Sequence, residues 1–347
     1  MNKTTEKQAP GLFDYQDRMK KLSQTGSALE KLDARIEWEQ FRSQLETAVA
    51  KKAKGPGGRP RHDVVMMFKI LVLQRYYNLS EEQTEYQIND RLSFQKFLGM
   101  TLADKVPDKN AIWDFKDALN RDHGIEKLFV CFEKHLKAAG LVGSEGKIID
   151  ASFVDVPRQR NSREENEIIK AGAVPIEFGK NTDKLGQKDI EARWTKKGNE
   201  VHYGYKNHVK ANSRHKLIED YVVTDASVHD SQAVDALVEE DDGVLHADSA
   251  YAGETVEKIL TGKKIENQVH ERAYRNHPLT DEQKESNRTK SKIRVRVEHI
   301  FGHMTHSMRD GLRLRNIGMR RITGAVGLLN LVYNMARYEQ IMRLGLA

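Results

Sequence analysis

Three acidic residues stand where a carboxylate could do chemistry. Asp150 lies inside the apolar run 147–154, Asp248 ends the apolar run that begins at Val244, and Glu298 lies near the start of a predicted helix. A carboxylate in or at the end of a buried strand is unfavourable unless a cation or hydrogen bonds compensate its charge. If the three converge, they form an all-oxygen site of the kind that suits magnesium or manganese. In a basic protein, such a site points to phosphodiester chemistry on nucleic acid.

The composition indicates a soluble, intracellular protein with a polyanionic partner. The 347 residues are enough for two domains, and the net charge of +6 comes from basic residues that cluster along the chain. Clustered cations favour binding of nucleic acid. The single cysteine, Cys131, excludes a disulfide framework and a cysteine-based zinc site, and its apolar neighbours predict a buried, inert thiol. We expect no membrane partner, because no apolar run is long enough to span one and the N-terminus lacks the apolar core of a signal peptide.

The first 140 residues are predicted to be helical. Residues 1–56 form a polar arm and a helix from Ala28 to about residue 52, whose single apolar stripe could pack on the protein or pair with a second subunit. Residues 57–140 are predicted to be a helical DNA-binding domain, with Asp63 as a helix cap, a capping box at 80–83, and a helix end at Gly140. The first helix pair could be a helix-turn-helix, although two packed helices are more often only architecture.

The apolar period changes from helix to strand at Lys147. The predicted strands are 147–156, 201–210, 217–225, 244–248 and 264–269. A polar insertion is predicted at 157–200, a helix at 230–240, a polar segment at 270–290, a helix carrying Glu298 at 291–306, and a long helix at 318–344. This order predicts an α/β domain over residues 141–347, with a mixed sheet flanked by helices.

A series of short motifs in a fixed order carries a resemblance to a known family. The motifs are Gly58-Arg59-Pro60, Asn78-Leu79-Ser80-Glu81-Glu82-Gln83, Asp90-Arg91-Leu92-Ser93-Phe94, Ala192-Arg193-Trp194-Thr195-Lys196-Lys197, His202-Tyr203-Gly204-Tyr205-Lys206-Asn207-His208, Ala226-Ser227-Val228-His229-Asp230-Ser231, Ala247-Asp248-Ser249-Ala250-Tyr251 and Arg294-Val295-Arg296-Val297-Glu298-His299. Over residues 57–340 the chain resembles the DDE-type transposases of bacterial insertion sequences, close to the IS-five family.

The resemblance implies a fold, an activity and a set of partners. It implies an RNase H-like catalytic domain in which Asp150, Asp248 and Glu298 are the catalytic residues and hold two Mg²⁺ or Mn²⁺ ions roughly 3.5–4 Å apart, with Asp150 bridging both. It implies a DNA transposase that binds terminal inverted repeats, hydrolyses a phosphodiester at each 3′ end and joins the 3′-hydroxyls to target DNA. Because two ends must be handled together, we expect a homodimer or larger assembly. The expected location is the bacterial cytoplasm, on the nucleoid when bound to DNA.

Basic and aromatic residues near the acids are candidate DNA contacts. Arg59 and Arg61 belong to a Gly-Arg-Pro-Arg sequence that resembles a minor-groove hook, or else a solvated linker. Trp194 could stack on a base, or pack in the loop of the insertion. The remaining candidates are phosphate contacts, and they are Arg158, Arg160, Lys196, Lys197, Lys206, His208, Lys290, Lys292, Arg294 and Arg296.

The helix that carries Glu298 departs from the family pattern. Some related transposases carry Tyr, Arg, Glu and Lys in series there. Arg294 and Glu298 fit this series, but Ser291 and Thr305 stand at the Tyr and Lys positions. The candidates to replace the lysine are Lys292, Arg296 and His306.

Other interpretations of these residues remain open. A zinc-dependent hydrolase could use His299, His303 and His306, whose spacing could place three imidazoles on one helical face. A catalytically silent DNA-binding regulator derived from a transposase would keep the fold without cleavage, although the three acids argue against it. Each acid also has a structural alternative. Asp150 could be an ordinary polar residue on an exposed strand, although its apolar flanks oppose that. Asp248 could merely cap the turn before Tyr251, and Glu298 could be a surface acid paired with Arg294. Asp155 is a weaker rival to Asp150, because its odd spacing places it on the opposite face of the strand.

Overall fold

The computed structural model describes residues 11–50, 61–143, 146–240 and 242–346. Helices fill the part before the sheet. They are α1 (Asp14–Gln24), α2 (Ala28–Asp33), α3 (Arg42–Val49), α4 (Val64–Tyr76), α5 (Glu81–Asp90), α6 (Leu92–Leu98), α7 (Lys109–Leu119) and α8 (Gly124–Ala138). None of the helices in these ranges combines the length and hydropathy needed to cross a bilayer.

The predicted helix caps are present in α4, α5 and α8. The Asp63 carboxylate accepts hydrogen bonds from the backbone N–H groups of Val65 and Met66 at the start of α4. A capping box at 80–83 starts α5. Gly140 follows α8 with a φ of +70°, a conformation that glycine adopts without strain. These local signals fix the helix boundaries.

The single helix predicted from Ala28 is wrong. The chain forms α2, a 3₁₀ turn at Trp38–Phe41 and then α3. Its apolar residues recur at intervals of up to five, and a straight helix of 3.6 residues per turn would spread them around its surface. The breaks allow Leu29, Phe41 and Leu45 to be at most 2% exposed. The apolar stripe therefore packs on the body of the protein.

Six strands form one mixed sheet. They are β1 (Lys147–Asp155), β2 (Arg193–Lys197), β3 (Glu200–Asn212), β4 (Ile218–Asp225), β5 (Val244–Ala247) and β6 (Glu266–Val269). The order is β2-β3-β1-β5-β6, and β4 also pairs with β3. The pairs that involve β3 are antiparallel, whereas β1–β5 and β5–β6 are parallel. The predicted mixed sheet is confirmed.

The insertion at 157–200 contains more structure than predicted. It contains α9 (Arg163–Lys170), α10 (Ile176–Gly179), α11 (Thr182–Gly186) and the edge strand β2. A two-residue turn, Gly198-Asn199, joins β2 to β3, and Gly198 has a φ of +61°. Gly-Asn is a recognised hairpin signal, so this strand could have been predicted.

Two further helices lie between strands of the sheet. The helix predicted at 230–240 is a 3₁₀ turn at Asp230–Ala233 followed by α12 (Val234–Leu237). After β5 come a 3₁₀ turn at Ser249–Tyr251 and α13 (Glu254–Gly262).

The helix that leads to Glu298 begins ten residues earlier than predicted. It is α14 (Asp281–Arg294), followed by α15 (Arg296–Gly302), a π-helical turn at His303–Ser307 and α16 (Met319–Leu344). Thr280 and Gln283 form a capping box that starts α14. Because α14 buries none of its residues, no apolar period reveals it in the sequence.

The sheet packs against α16 through a polar pair. The side chains of Asn207 on β3 and Asn330 on α16 exchange hydrogen bonds of 2.8 and 3.2 Å in the core. The Asn334 side chain bonds both backbone groups of Ile218 on β4. The larger hydrophobic core includes residues of the helices before the sheet and of α16. A second, smaller core includes residues of α12 and α13.

Candidate active site

Asp150 and Asp248 lie at the same level of two adjacent strands. In the parallel pair, Lys147 stands opposite Leu245 and Ile148 opposite His246. Continuing this register by two residues places Asp150 opposite Asp248, which directly follows β5. Adjacent strands of a sheet lie about 4.8 Å apart, so the two carboxylates begin from neighbouring backbone positions. The structure thus brings together two acids that are 98 residues apart in the sequence.

The Asp150 carboxylate is largely buried. Its side chain is 15% exposed, and its Oδ1 accepts a hydrogen bond from the backbone N–H of Ala151 at 2.8 Å. Burial raises the pKa of Asp150 from 3.8 to about 6, and the negative charge of Asp248 acts in the same direction. The positive charges of Arg294 and Lys197 oppose this rise. Asp150 is therefore a carboxylate whose charge the local environment disfavours.

Arg294 joins Asp150 to Glu298. Its Nη1 lies 3.2 Å from Asp150 Oδ2, and its Nη2 lies 2.9 Å from Glu298 Oε1. One guanidinium therefore separates the first and third predicted acids. The Glu298 side chain is 58% exposed, so the third acid lies at the surface edge of the site. The ion pair between Glu298 and Arg294 anticipated from their helical spacing is present.

The donor set suits a hard divalent cation, although the three acids do not converge on one point. In the described ranges no three His, Cys, Asp or Glu side chains come close enough to hold a metal ion. For the predicted triad, Arg294 lies between two of its members. Asp150 and Asp248 nevertheless provide an all-oxygen pair whose mutual repulsion a cation would relieve. Glu298 can join this pair only by releasing Arg294.

Tyr251 is a member of the site that sequence reasoning did not single out. It is 1% exposed, and its hydroxyl has no hydrogen-bond partner among the described residues. Burial holds the pKa of Tyr251 well above its ordinary value, and the charges of Asp150, Asp230 and Asp248 add to this. A buried hydroxyl without a partner, next to carboxylates, fits a site that takes up a hydrated cation. The signals in the sequence were its spacing of three residues from Asp248 and its place in the motif at 247–251.

The edge strand β2 presents basic and aromatic side chains close to the acids. Trp194 is 44% exposed, and the Arg158 guanidinium lies 5.5 Å from its ring. Lys196 and Lys197 are exposed. The positive charge of Lys197 lowers the pKa of Asp150, so this end of β2 lies near Asp150. Trp194 lies on a strand and not in a loop, with its ring 4.8 Å from that of Tyr203.

Lys206 and His208 do not form the predicted surface for DNA. They are 8% and 0% exposed, respectively. Lys206 Nζ donates to Asp230 Oδ1 at 2.8 Å, and His208 Nε2 lies 2.9 Å from the Thr224 hydroxyl. Burial lowers the pKa of His208 to about 4, so the ring stays neutral. The prediction is wrong because β3 lies between β1 and β4, and its alternating polar residues are paired inside the protein.

The basic run at 288–296 divides between internal contacts and solvent. Lys290 Nζ donates to the Val269 carbonyl at 2.8 Å and contacts Glu271, and Arg296 Nη1 donates to the Ser213 carbonyl at 2.7 Å. Lys292 is exposed.

The remaining arginine candidates lie in the linker and the insertion. Arg61 Nη1 donates to the Val49 carbonyl at 2.9 Å, and Arg160 is exposed. Arg59 lies outside the described residues.

The histidines proposed for zinc do not form a ligand set. The π-helical turn begins at His303, so His306 no longer follows the α-helical spacing that would place it over His299. The His303 ring packs edge-on against Tyr333, with centroids 5.5 Å apart. Within the described ranges no histidine cluster suited to a metal is found.

Comparison with known proteins identifies two family models along the chain. A model described as "Transposase DDE domain" matches residues 143–335, which is more than half of the chain and includes all three acids. A model described as "Transposase domain (DUF772)" matches residues 16–118. No solved structure matches the chain. The mixed six-stranded sheet flanked by helices, with a helical region before it, is the RNase H-like architecture predicted from the sequence.

Proposed function

The chain belongs to the DDE transposases, and we propose that it is the transposase of a bacterial insertion sequence close to the IS-five family. It binds the terminal inverted repeats of its element, hydrolyses a phosphodiester at each 3′ end, and joins the freed 3′-hydroxyls to target DNA. A homodimer or larger assembly handles the two ends together. The position of Asp150 beside Asp248, at the ends of adjacent parallel strands, is the observation that carries the proposal.

Asp150, Asp248 and Glu298 are the proposed ligands of two Mg²⁺ or Mn²⁺ ions. When bound, such ions activate the attacking water or 3′-hydroxyl and stabilise the leaving oxygen. Asp150 supplies largely buried oxygens, Asp248 supplies oxygens from the neighbouring strand end, and Glu298 joins them when Arg294 releases it. The freed guanidinium of Arg294 is then available to a DNA phosphate, which it can bind through two parallel hydrogen bonds. The same arginine thus balances charge at the acids before DNA arrives and at the DNA afterwards.

The exposed cations that border the acids are the proposed path of the DNA backbone. Lys196, Lys197 and the Arg158–Trp194 pair lie along β2, and Lys292 lies on α14. Contacts of this kind bind phosphate without selecting sequence. Arg61 and Arg160 extend the same type of contact on the helical region and the insertion.

Substitution of Asp150 by asparagine tests this function. Asp150→Asn should lower Mg²⁺-dependent nicking of an oligonucleotide that carries an element end on the order of a hundredfold or more, because a catalytic ion contributes several kcal/mol. Binding of the same DNA should remain.

The matched control is Asp155→Asn, which changes an acid on the opposite face of the same strand and should keep nicking. Cleavage by Asp150→Asn at the rate of the unaltered protein would refute the assignment. DNA binding by the unaltered protein without cleavage in Mg²⁺ or Mn²⁺ would instead identify a silent regulator.

A further inference from the structure

A basic groove runs along α15 from Glu298 to α16. Its first part is a hollow of about 230 Å³ lined by Lys216, His299, His303, Tyr333, Arg337 and Gln340. A second hollow, of about 530 Å³, includes Glu298 in its lining. The two hollows share His299 and His303 in their linings, and we call them together the α15 groove. It opens directly beside the third acid of the proposed active site.

The groove concentrates positive charge without an acid to balance it in its first part. None of the six residues that line the first hollow, all of which lie in the described ranges, is acidic. Lys216 comes from the turn between β3 and β4, and Arg337 comes from α16. Burial lowers the pKa of Lys216, and the positive charges of Arg337 and Arg296 lower it further. Lys216 and Arg337 thus place two cations from separate elements in the first hollow, and Arg296 is a third cation that acts on Lys216 without lining either hollow.

The structure holds these cations in place through the backbone of the turn. Arg337 Nε donates to the His215 carbonyl at 2.8 Å, and Arg296 Nη1 donates to the Ser213 carbonyl at 2.7 Å. The Tyr333 hydroxyl donates to the Lys216 carbonyl at 2.7 Å. Lys216 itself has a φ of +60°, a conformation that is uncommon for lysine. The cations are therefore preorganised and do not simply meet by chance at a flexible surface.

One polar atom in the groove also lacks a partner. His303 Nε2 is buried and makes no hydrogen bond to any described residue. An anion bound between Lys216 and Arg337 would relieve the repulsion of the cations and give this nitrogen a partner.

We propose that the α15 groove binds a backbone phosphate of the DNA strand, beyond the phosphate that the acids cut. This inference rests on the proposed function and adds a place where the strand leaves the active site. The groove suits a backbone better than a free nucleotide, because Tyr333, the one Tyr, Phe or Trp in its lining, is 3% exposed and offers no face for stacking a base. Contact there contributes affinity and holds the strand in position, without reading sequence.

Two charge changes of opposite sign test the proposal. Lys216→Asn removes the cation with a residue that tolerates positive φ. Gln340→Lys adds a cation at an exposed position of the same lining, and it also removes the amide oxygen that accepts a hydrogen bond from Arg337 Nη1 at 2.5 Å. Binding of an element-end duplex is measured by fluorescence anisotropy in EDTA over a series of salt concentrations. Because each phosphate contact contributes about 0.9 to the slope of log affinity against log salt, Lys216→Asn should lower the slope by about one and Gln340→Lys should raise it by about one.

Lys258→Gln is the control, because it removes one charge from a 74% exposed lysine on α13. It should leave the slope unchanged. If the unaltered protein binds the duplex and Gln340→Lys shows the same salt slope as the unaltered protein, the groove does not contact DNA. This conclusion holds even if Lys216→Asn fails to fold. If the unaltered protein does not bind the duplex at all, the proposed function itself is refuted.

Discussion

Asp150→Asn should stabilise the free protein at neutral pH, in addition to removing cleavage. The folded chain keeps Asp150 15% exposed and beside Asp248, and together with burial this raises its pKa from 3.8 to about 6. The folded state therefore binds the proton more tightly than the unfolded chain. Asparagine has nearly the same shape and no charge, so it mimics the protonated acid at every pH.

The sign and the size of this change in stability follow from proton linkage at Asp150. Below pH 3.8 both states are protonated at Asp150, and the residue imposes no penalty on folding. As pH rises through the interval between 3.8 and about 6, the unfolded chain loses the proton first, and the stability of the folded protein falls. Above this interval the full penalty is roughly 3 kcal/mol. The substitution Asp150→Asn should therefore raise the free energy of unfolding, and this gain should be larger at about pH 7.5 than at about pH 4. The difference between the two gains should be roughly 2–3 kcal/mol.

Urea unfolding at the two pH values, in EDTA, measures this difference. Comparing the two pH values cancels any constant effect of the amide, such as a changed hydrogen bond to Arg294. The control is Asp114→Asn, which replaces an exposed acid in the middle of α7, and a surface substitution of this kind should change stability little. Equal effects of Asp150→Asn at both pH values would show that the Asp150 carboxylate is not destabilised in the folded protein, and the account of a strained acid pair would fail.

Two further predictions follow from contacts of the same region. Arg294→Gln removes the cation that separates Asp150 from Glu298, so the affinity of the free protein for Mn²⁺ in calorimetry should rise on the order of tenfold. Arg288→Gln, at a 77% exposed position of the same helix, should not change this affinity. Weaker binding of Mn²⁺ by Arg294→Gln would show that the arginine supports the ion and does not compete with it. Gly204 has a φ of +146°, and Gly204→Ala places a methyl group against the Val154 carbonyl oxygen. The substitution should therefore lower the free energy of unfolding, measured in urea, by more than about 2 kcal/mol. The control is Gly179→Ala, where a methyl group meets nothing within 4 Å, and equal stability of the two variants would contradict this packing.

Local signals predicted much of the fold. The helix caps at Asp63 and Ser80 and the glycine at residue 140 mark ends that depend on only a few neighbouring residues, and the structure confirms them. The strands around Asp150 and Asp248 were also found, because buried strands of this kind are short apolar runs. The start of α14 was not predicted, because none of its fourteen residues is fully buried and its sequence therefore shows no apolar period.

The errors at the site come from contacts between distant parts of the chain. The alternation of Lys206 and His208 with apolar residues is the same for an edge strand and for a central strand, and only the pairing of β3 on both sides decides that they are buried. The ion pair of Arg294 with Asp150 joins residues 144 positions apart, and no spacing rule predicts it. The register between β1 and β5, which places Asp150 opposite Asp248, likewise exists only in the folded sheet.

Charge balance connects these features to the proposed activity. A largely buried carboxylate beside a second acid is unstable without a cation, and in the free protein the positive charges of Arg294 and Lys197 compensate Asp150. Both cations belong to surfaces that border the acids, on α14 and at the end of β2. A DNA phosphate that attracts either side chain would leave the acids with more uncompensated negative charge, and the affinity of the acids for a divalent cation would rise. Binding of DNA and binding of metal are therefore expected to favour each other, since each relieves the charge that the other leaves exposed. Mn²⁺ titrations with and without an element-end duplex measure this coupling, and equal Mn²⁺ affinity in both would contradict it.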